Sequence, residues 1–329
     1  MFLFDPSKTD PRAASYSHVN MLTFSGVYAV VPTPFLPTGA VDLASLRRVV
    51  RLYAGAGIDG LTALGVTSET VRLSDAEREQ VVETIMEEAP SGLPVVVGAT
   101  AQGIEPCIEY ASRAKRAGGA AAMISPPRMA SFNERTVLHH FESVSNAVDL
   151  PIIAQDYPES TGFAMSATFL ASLPRRVERV RAIKLEDAPS PPKIARVLAE
   201  LGDRPVSIFG GLGGVFLLEE LLAGATGAMT GFSFPEALVE IVRLFRAGNL
   251  RAATERFYHY VPLLRFEFQA GIGMALRKEI LRRRGVLASA TVRSPAAALD
   301  PATIAALDHL LEWYRARDDA TWIRFGGAD

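Results

Sequence analysis

A lysine at the end of an apolar segment is the residue of this sequence that most plainly indicates chemistry. The 329 residues contain only five lysines against 29 arginines, and Lys184 closes the segment VRAIK. An amine surrounded by apolar side chains loses the hydration that stabilises its charge, so the neutral nucleophilic form becomes accessible. Such an amine suits Schiff-base formation with a carbonyl substrate. The alternative interpretation is a structural lysine held in an ion pair by Glu186 or Asp187.

A second candidate is the turn 65–70, which is built from small and hydroxyl residues and follows another apolar segment. Its backbone amides, around Val66, Thr67 and Ser68, are placed to hold a carboxylate. The hydroxyl of Thr67 is placed to relay a proton. The alternative is an ordinary loop between a strand and a helix.

Three further polar residues, Gln155, Asp156 and Tyr157, follow the apolar segment PIIA and precede a proline. Alternation along an extended strand places Gln155 and Tyr157 on one side and Asp156 on the other. Three polar groups are therefore crowded at the end of one predicted strand. Arg128, which follows the segment AAMIS, is either a ligand for a distal hydroxyl or carboxylate of a substrate or an arginine that is only solvated.

These residues need a scaffold that brings the ends of several strands together. From Gly26 onward, short β-rich apolar segments alternate with longer segments of helical period, which is typical of βα units around a parallel sheet. Eight such units favour an α/β fold of the (β/α)8 TIM barrel type, in which the carboxyl ends of all strands meet at one mouth. The eight predicted strands are 27–31, 60–64, 94–98, 121–125, 151–155, 180–184, 206–210 and 227–231.

The chain is predicted to have three parts. We expect an N-terminal arm over residues 1–24, the barrel over 25–248, and a C-terminal helical extension over 249–329 that packs on the barrel. Three segments after the eighth unit have helical period, and no low-complexity linker separates them from the barrel. Within the barrel, Asp42 and Ser74 mark helix starts, the latter with a glutamate three residues later as in a capping box.

Composition limits the kinds of partner. A net charge of −2 and a charged fraction of 21% describe a globular protein without the basic surface that nucleic acids require. No run reaches the roughly 18 apolar residues of a membrane helix, so we expect a cytoplasmic protein with a small-molecule partner and no membrane contact. The single Cys107 fits a reducing compartment. His139 and His140 are adjacent on a predicted helix and expected to be solvated, which leaves no metal site.

Six segments, in this order and spacing, resemble the dihydrodipicolinate synthase and N-acetylneuraminate lyase superfamily over nearly all of residues 25–315. They are GVYAVVPTPF, GIDGLTALGVTSETVRLSDAE, PVVVGA, PIIAQDYPESTG, AIKLE and GATGAMTG. The resemblance implies a barrel lyase that forms a Schiff base between Lys184 and pyruvate or another 2-keto acid, without a separate cofactor. It also implies a homo-oligomer, usually a tetramer. We place Gly210 and Gly231, which end the last two predicted strands, among the substrate-binding residues.

The sequence departs from the family at the positions that transfer protons. Val66 replaces the first threonine of the paired-threonine motif, while Thr67 keeps the second. Gln155 stands in the place of the family's proton-transferring tyrosine and Asp156 in the place of an asparagine, and a second tyrosine expected after the fourth strand is missing. The general acid and base is then Thr67, Tyr157, Asp156 or an ordered water, with Gln155 as a neighbour at the mouth. Tyr157 is either a displaced substitute for the missing tyrosine or a buried spacer before Pro158. These departures resemble the branch that contains 2-keto-3-deoxy-L-arabonate dehydratase.

Three functions follow as alternatives. The first is dehydration or retro-aldol cleavage of a 2-keto-3-deoxy sugar acid through a lysine-bound enamine. The second is condensation of pyruvate with an aldehyde, as in dihydrodipicolinate synthase, which the missing tyrosines disfavour. The third is a non-catalytic binding homologue, against which the retained Lys184 and Thr67 argue.

Overall fold

Eight parallel strands form a closed barrel in which each strand pairs with its neighbours in chain order and the last strand pairs with the first. The architecture is that of a computed structural model, which describes residues 24–316. The strands are β1 (Gly26–Val30), β2 (Gly60–Ala63), β3 (Val95–Gly98), β4 (Ala121–Ile124), β5 (Ile152–Asp156), β6 (Val180–Leu185), β7 (Ser207–Gly210) and β8 (Gly227–Thr230). The predicted (β/α)8 barrel is therefore confirmed, and every predicted strand is present.

Helices connect the strands, and three more follow the last strand. The connecting helices are α1 (Leu43–Gly55), α2 (Asp75–Glu88), α3 (Ile104–Arg116), α4 (Glu134–Ala147), the one-turn α5 (Pro158–Thr161), α6 (Ala167–Arg176), α7 (Ser190–Leu201), α8 (Leu217–Leu222) and α9 (Pro235–Arg246). The helices after the barrel are α10 (Leu250–Glu267), α11 (Gly273–Arg283) and α12 (Pro301–Arg315). The predicted boundary between residues 248 and 249 falls between α9 and α10 and stays a prediction. The predicted N-terminal arm lies outside the described residues except for Phe24.

Two helices start at side chains that cap their first amides. Ahead of α1, Asp42 Oδ1 accepts a hydrogen bond from the amide of Ser45 at 3.0 Å. Ahead of α2, Ser74 Oγ accepts from the amide of Glu77 at 3.3 Å, and Glu77 Oε2 accepts from the amide of Ser74 at 2.9 Å. Because the first amides of a helix have no partner within it, these contacts decide where each helix begins. Both predicted starts are confirmed.

An apolar layer fills part of the barrel interior and forms a floor beneath the mouth. Three of its rings meet edge to face, with centroids 6.0 Å apart for Phe24 and Tyr28 and 5.2 Å apart for Tyr28 and Phe209. Because strands of such a barrel are buried on both faces, they are apolar almost throughout, and inward polar side chains stand out. The floor consists of Phe24, Tyr28, Val96, Ala121, Met123, Ile153, Ala182, Phe209 and Met229.

Within residues 24–316, no helix is long and apolar enough to cross a membrane, and no group of three or more His, Cys, Asp or Glu is placed to hold a metal ion. Cys107 is buried in α3. The expectation of two solvated histidines is wrong for His140, which is buried on α4 beside Phe141, while His139 is exposed. Loss of hydration lowers the pKa of His140 to about 4.

A buried ion pair fastens the helices after the barrel to the loop after β2. Lys278 on α11 donates to Glu69 Oε1 at 2.5 Å, and both side chains are fully buried. The other carboxylate oxygen of Glu69 accepts from Arg72 Nη1 and from the amide of Arg293, each at 2.9 Å. Charges removed from water in this way are stable only when they are paired and hydrogen-bonded. Glu69 therefore fixes the loop against α11.

Replacing Lys278 by methionine leaves Glu69 Oε1 buried without its cationic partner, although Arg72 still pairs with Oε2. We expect the free energy of unfolding to fall by about 3 kcal/mol. The matched control is Lys115→Met, because Lys115 is half exposed and its ion pair with Asp149 is 3.7 Å long. The control should change stability by less than about 1 kcal/mol. Denaturant unfolding followed by circular dichroism measures both variants, and equal losses would contradict the role given to Lys278.

A second buried carboxyl group makes stability depend on pH. Glu220 on α8 accepts a hydrogen bond from Ser190 Oγ at 2.6 Å and packs so closely against Gly210 that a Cβ there would lie 1.7 Å from Glu220 Oε2. Burial raises the pKa of Glu220 from 4.5 to about 8. Between these two values the folded chain holds a proton that the unfolded chain has released. The contribution of Glu220 to stability is therefore complete below the lower value and is lost as the pH rises towards 8.

Glu220→Gln mimics the protonated carboxyl at every pH, so we expect this variant to lose less stability than the wild type between pH 5 and pH 8.5. The difference in the decline should be on the order of 3 kcal/mol. Chemical unfolding at a series of pH values measures it, with Glu178→Gln on the exposed surface as the control. Parallel pH profiles for the wild type and Glu220→Gln would show that Glu220 is ionised in the folded protein.

Candidate active site

Lys184 lies on β6 with its side chain inside the barrel, near the carboxyl end of the strand. Its neighbours across the sheet are Gln155 on β5 and Phe209 on β7. Alternation along the strand places it one layer above Ala182 of the apolar floor. The residue is only 4% exposed, and its Nζ lies 3.0 Å from Oε2 of Glu186. Lys184, which the scarcity of lysine and its position in the sequence indicated as a candidate, is thus a buried amine in contact with a carboxylate.

Glu186 joins Lys184 to the neighbouring strand. It follows Lys184 by two positions, so alternation turns both side chains to the same side. Glu186 Oε2 also accepts a hydrogen bond from Gln155 Nε2 at 2.6 Å, and Gln155 Oε1 accepts from Ser125 Oγ at 3.0 Å. Glu186 Oε1 accepts from the amide of Leu212 at 3.4 Å. These contacts hold the carboxylate beside the amine.

From the sequence, Glu186 was considered only as an ion-pair partner of Lys184 and not as a candidate acid and base. The signal was present, because a spacing of two along a strand sets a carboxylate next to the amine. Gln155, which the resemblance aligns with the family's tyrosine, donates to this carboxylate. An amide side chain does not titrate near neutral pH, so Gln155 can orient Glu186 but cannot replace the tyrosine as a proton donor.

A cavity of about 50 Å³ has Lys184 and Glu186 in its wall. Five residues predicted for the site line it, namely Val66, Thr67, Tyr157, Lys184 and Gly231. Its other lining residues are Val30, Glu186, Leu212, Gly213, Thr230, Phe268 and Arg277. The last two come from beyond the eighth strand, so the C-terminal helices complete the site. Neither residue was predicted from the sequence, because nothing in the local pattern indicates which part of a helical extension reaches the mouth.

The loop after β2 enters the cavity as a short 3-10 turn, Val66–Ser68. Ser68 holds this turn, since its hydroxyl donates to the carbonyl of Val31 at 2.5 Å and accepts from the amide of Gly65 at 3.1 Å. The amide of Ser68 donates to the carbonyl of Gly65 at 2.9 Å and is thereby used within the turn. Thr67 differs, because its Oγ1 is buried without a hydrogen-bond partner among the described residues.

Tyr157 lines the cavity but directs its hydroxyl elsewhere. That hydroxyl donates to Glu159 Oε2 at 2.7 Å. Burial raises the pKa of Tyr157 well above its ordinary value, and the bond to Glu159 raises it further. A phenol that keeps its proton and shares it with Glu159 is a weaker candidate for proton transfer than the carboxylate of Glu186.

Three other residues predicted to bind substrate lie outside the cavity lining. Asp156 accepts a hydrogen bond from Lys193 Nζ at 2.6 Å, which ties β5 to α7, and burial raises the pKa of this carboxyl. Arg128 is exposed in the segment after β4. Gly210 packs against Glu220 of α8. Their roles in substrate binding stay predictions.

Comparison with known proteins gives these observations a family context. The profile of the dihydrodipicolinate synthetase family matches residues 23–313. The chain is 36% identical over 285 residues to L-2-keto-3-deoxyarabonate dehydratase of Azospirillum brasilense, which covers 86% of this chain and 92% of that protein. It is 32% identical over 247 residues to 4-hydroxy-tetrahydrodipicolinate synthase of Methanothrix thermoacetophila, covering 74% of this chain and 82% of that protein.

A solved structure is similar across almost the whole fold. The crystal structure of dihydrodipicolinate synthase from Rhodopseudomonas palustris superposes with a TM-score of 0.84 at 35% identity, covering 88% of this chain and 98% of that chain. The family resemblance indicated by the motifs is thereby confirmed, as is the prediction that the protein is an enzyme of the lyase class. In sequence and in structure, this chain belongs to the dihydrodipicolinate synthetase family.

Proposed function

We propose that this protein is a Schiff-base-forming lyase that removes water from a 2-keto-3-deoxy sugar acid. Lys184 is the nucleophile and Glu186 is the general acid and base. The observation that carries the proposal is the 3.0 Å contact between Lys184 Nζ and Glu186 Oε2 in the wall of a small cavity. The 36% identical relative is named a dehydratase of L-2-keto-3-deoxyarabonate, which supports a sugar acid as the class of substrate.

Schiff-base formation begins with a proton transfer between these two side chains. A lysine attacks a ketone only as the neutral amine, and Glu186 is close enough to accept the ammonium proton. Lys184 then adds to the C2 ketone, and Glu186 returns the proton to the hydroxyl that leaves the adduct as water. The product is an iminium that withdraws electrons from C3. The reaction therefore needs no separate cofactor.

Dehydration uses the same carboxylate twice. Glu186 takes a proton from C3, which the iminium has acidified, and an enamine forms. The enamine expels the C4 hydroxyl, and the protonated Glu186 gives up its proton so that the hydroxyl departs as water. Gln155 keeps the carboxylate in place through its hydrogen bond of 2.6 Å. Hydrolysis of the remaining iminium releases the product and restores Lys184, and the substrate has lost one water in total.

Condensation of pyruvate with an aldehyde is a second candidate, because the 32% identical relative is named a 4-hydroxy-tetrahydrodipicolinate synthase. A lysine-bound enamine would serve that reaction, and it would also serve retro-aldol cleavage of a sugar acid. Dehydration is favoured because Gln155 occupies the place of the family's tyrosine, while the hydroxyl of Tyr157 is bonded to Glu159. A non-catalytic homologue would have no use for a buried lysine beside a carboxylate.

The substrate in this proposal is a small 2-keto acid, and the chemistry requires no protein or nucleic-acid partner. Assembly as a homo-oligomer and a cytoplasmic location are expected from the family resemblance. Both stay predictions. Size-exclusion chromatography with light scattering measures the oligomeric state directly.

Borohydride reduction in the presence of pyruvate should trap a covalent adduct on Lys184. Peptide mass mapping locates the adduct, which we expect on the wild type and on the Lys115→Met control but not on Lys184→Met. Lys115 is the suitable control because it is half exposed on α3, far along the chain from the cavity residues. A wild-type protein without an adduct, or an adduct on another lysine, would remove the basis of the proposal.

Glu186→Gln should lower the rate of dehydration at least about 100-fold, because the amide cannot carry the proton between C3 and the leaving hydroxyl. The matched control, Glu178→Gln, should keep the wild-type rate since Glu178 is exposed. The measurement is single-turnover kinetics with the trapped fraction followed in parallel. If Tyr157→Phe abolishes turnover while Glu186→Gln does not, the acid and base is Tyr157 instead.

The product distinguishes the candidate reactions. With a panel of 2-keto-3-deoxy pentonates and hexonates, we expect a product lighter than the substrate by one water and no release of pyruvate. Release of pyruvate would identify an aldolase. Consumption of pyruvate together with aspartate semialdehyde would identify the synthase reaction, and inactivity towards every substrate would contradict the assignment to this group of lyases.

A further inference from the structure

A second cationic side chain reaches the cavity from outside the barrel. Arg277 on α11 is 4% exposed, and its Nε donates to Glu267 Oε1 at 2.5 Å. The other oxygen of Glu267 accepts from the amide of Ser233 at 3.1 Å, and Ser233 Oγ donates to the carbonyl of Arg277 at 3.2 Å. These bonds fix the guanidinium by one edge and leave the other edge turned towards the cavity that it lines.

Two donor atoms converge there without a partner. Arg277 Nη1 and Thr67 Oγ1 are both buried and have no hydrogen-bond partner among residues 24–316. Both lie near Gly231, where an added Cβ would be 2.1 Å from Arg277 Nη1 and 3.1 Å from Thr67 Oγ1. The two donors are thus close enough for one planar group with two oxygens to accept from both. A buried donor without an acceptor is costly, so the arrangement indicates a ligand that supplies the oxygens.

We infer that Arg277 and Thr67 together bind the C1 carboxylate of the 2-keto acid, an inference that rests on the proposed function. A guanidinium matches a carboxylate in both charge and shape. In a 2-keto acid the carboxylate carbon is bonded directly to the C2 ketone carbon that Lys184 attacks. The carboxylate must therefore lie in the same small cavity as Lys184, and Arg277 lines that cavity. Backbone amides of the loop after β2 carry no net charge, whereas Arg277 makes the recognition selective for an anion.

The absence of a side chain at Gly231 is part of this arrangement. At 2.1 Å from Nη1, a Cβ would collide with the guanidinium and displace it from the cavity. The lack of a side chain at Gly231 therefore leaves the space that the Arg277 guanidinium occupies. This is a physical reason for including Gly231 among the predicted substrate-binding residues. The salt bridge to Glu267 has a separate role, because it keeps the Arg277 guanidinium oriented before the ligand arrives.

The test compares two ketones that differ in charge. Pyruvate and hydroxyacetone share a three-carbon skeleton, but the second has a neutral hydroxymethyl group in place of the carboxylate. We measure half-saturation of borohydride trapping on Lys184 for the wild type, Arg277→Gln and Arg277→Lys. For Arg277→Gln the pyruvate value should rise at least about tenfold while the hydroxyacetone value changes less than about threefold. Arg277→Lys keeps the charge without the paired geometry and should fall between.

A variant with both charges replaced, Arg277→Gln with Glu267→Gln, separates ligand binding from the loss of a buried ion pair. It leaves no unpaired carboxylate, and its folding is checked by circular dichroism and thermal unfolding. We expect the same selective loss of pyruvate trapping. Equal weakening of both ketones would assign Arg277 a structural role and overturn the inference.

Two further outcomes are distinguishable. Unchanged pyruvate trapping in Arg277→Gln, with weaker binding only of a longer 2-keto-3-deoxy acid, would place Arg277 at the distal hydroxyls and overturn the carboxylate assignment while the proposed function stands. A wild-type protein that pyruvate never traps would overturn both. The variant Glu178→Gln, altered on the exposed surface, serves as the control in each assay.

Discussion

Pairing of buried charges is the constraint on which the carboxyl end of this barrel depends. Three cations converge there, and each faces a carboxylate, in the pairs Lys184 with Glu186, Arg277 with Glu267, and Lys278 with Glu69. Removing a charge from water is costly unless a partner and further hydrogen bonds compensate. The pairs therefore fix the geometry of the mouth, because moving any one of these side chains would deprive a buried opposite charge of a partner.

The three pairs do different work although they obey the same rule. Lys278 and Glu69 are fully buried and hold the loop after β2 against α11, so theirs is a structural pair. Lys184 and Glu186 line the cavity, and in the proposed function theirs is the pair that exchanges a proton. Arg277 stands between these cases, since one edge is fixed by Glu267 and the other has a free donor. All three pairs are buried. They differ in that Lys184, Glu186 and Arg277 line the cavity, whereas Lys278 and Glu69 do not.

The helices after the barrel are consequently part of the site. Phe268 and Arg277 line the cavity, and Lys278 anchors the loop that carries Thr67. A barrel without α11 would lack both the Arg277 guanidinium and Lys278, one of the two cations that pair with Glu69. Gln155 contributes to the same site, because its amide donates a hydrogen bond to Glu186 and so holds that carboxylate beside Lys184.

The sequence by itself determined the eight strands, the barrel and the position of Lys184. Strand periodicity and the alternation of strands with helices are local patterns that can be recognised before the fold is known. It also indicated the turn with Thr67. Only the tertiary structure decided that Glu186 contacts Lys184 while Asp156 holds Lys193, and that Arg277 meets Thr67 over Gly231. Some of these contacts join residues that are distant in the chain, and others depend on which of several nearby carboxylates a lysine reaches. Local sequence patterns do not determine either, because barrel closure and helix packing set which side chains lie in the same buried space.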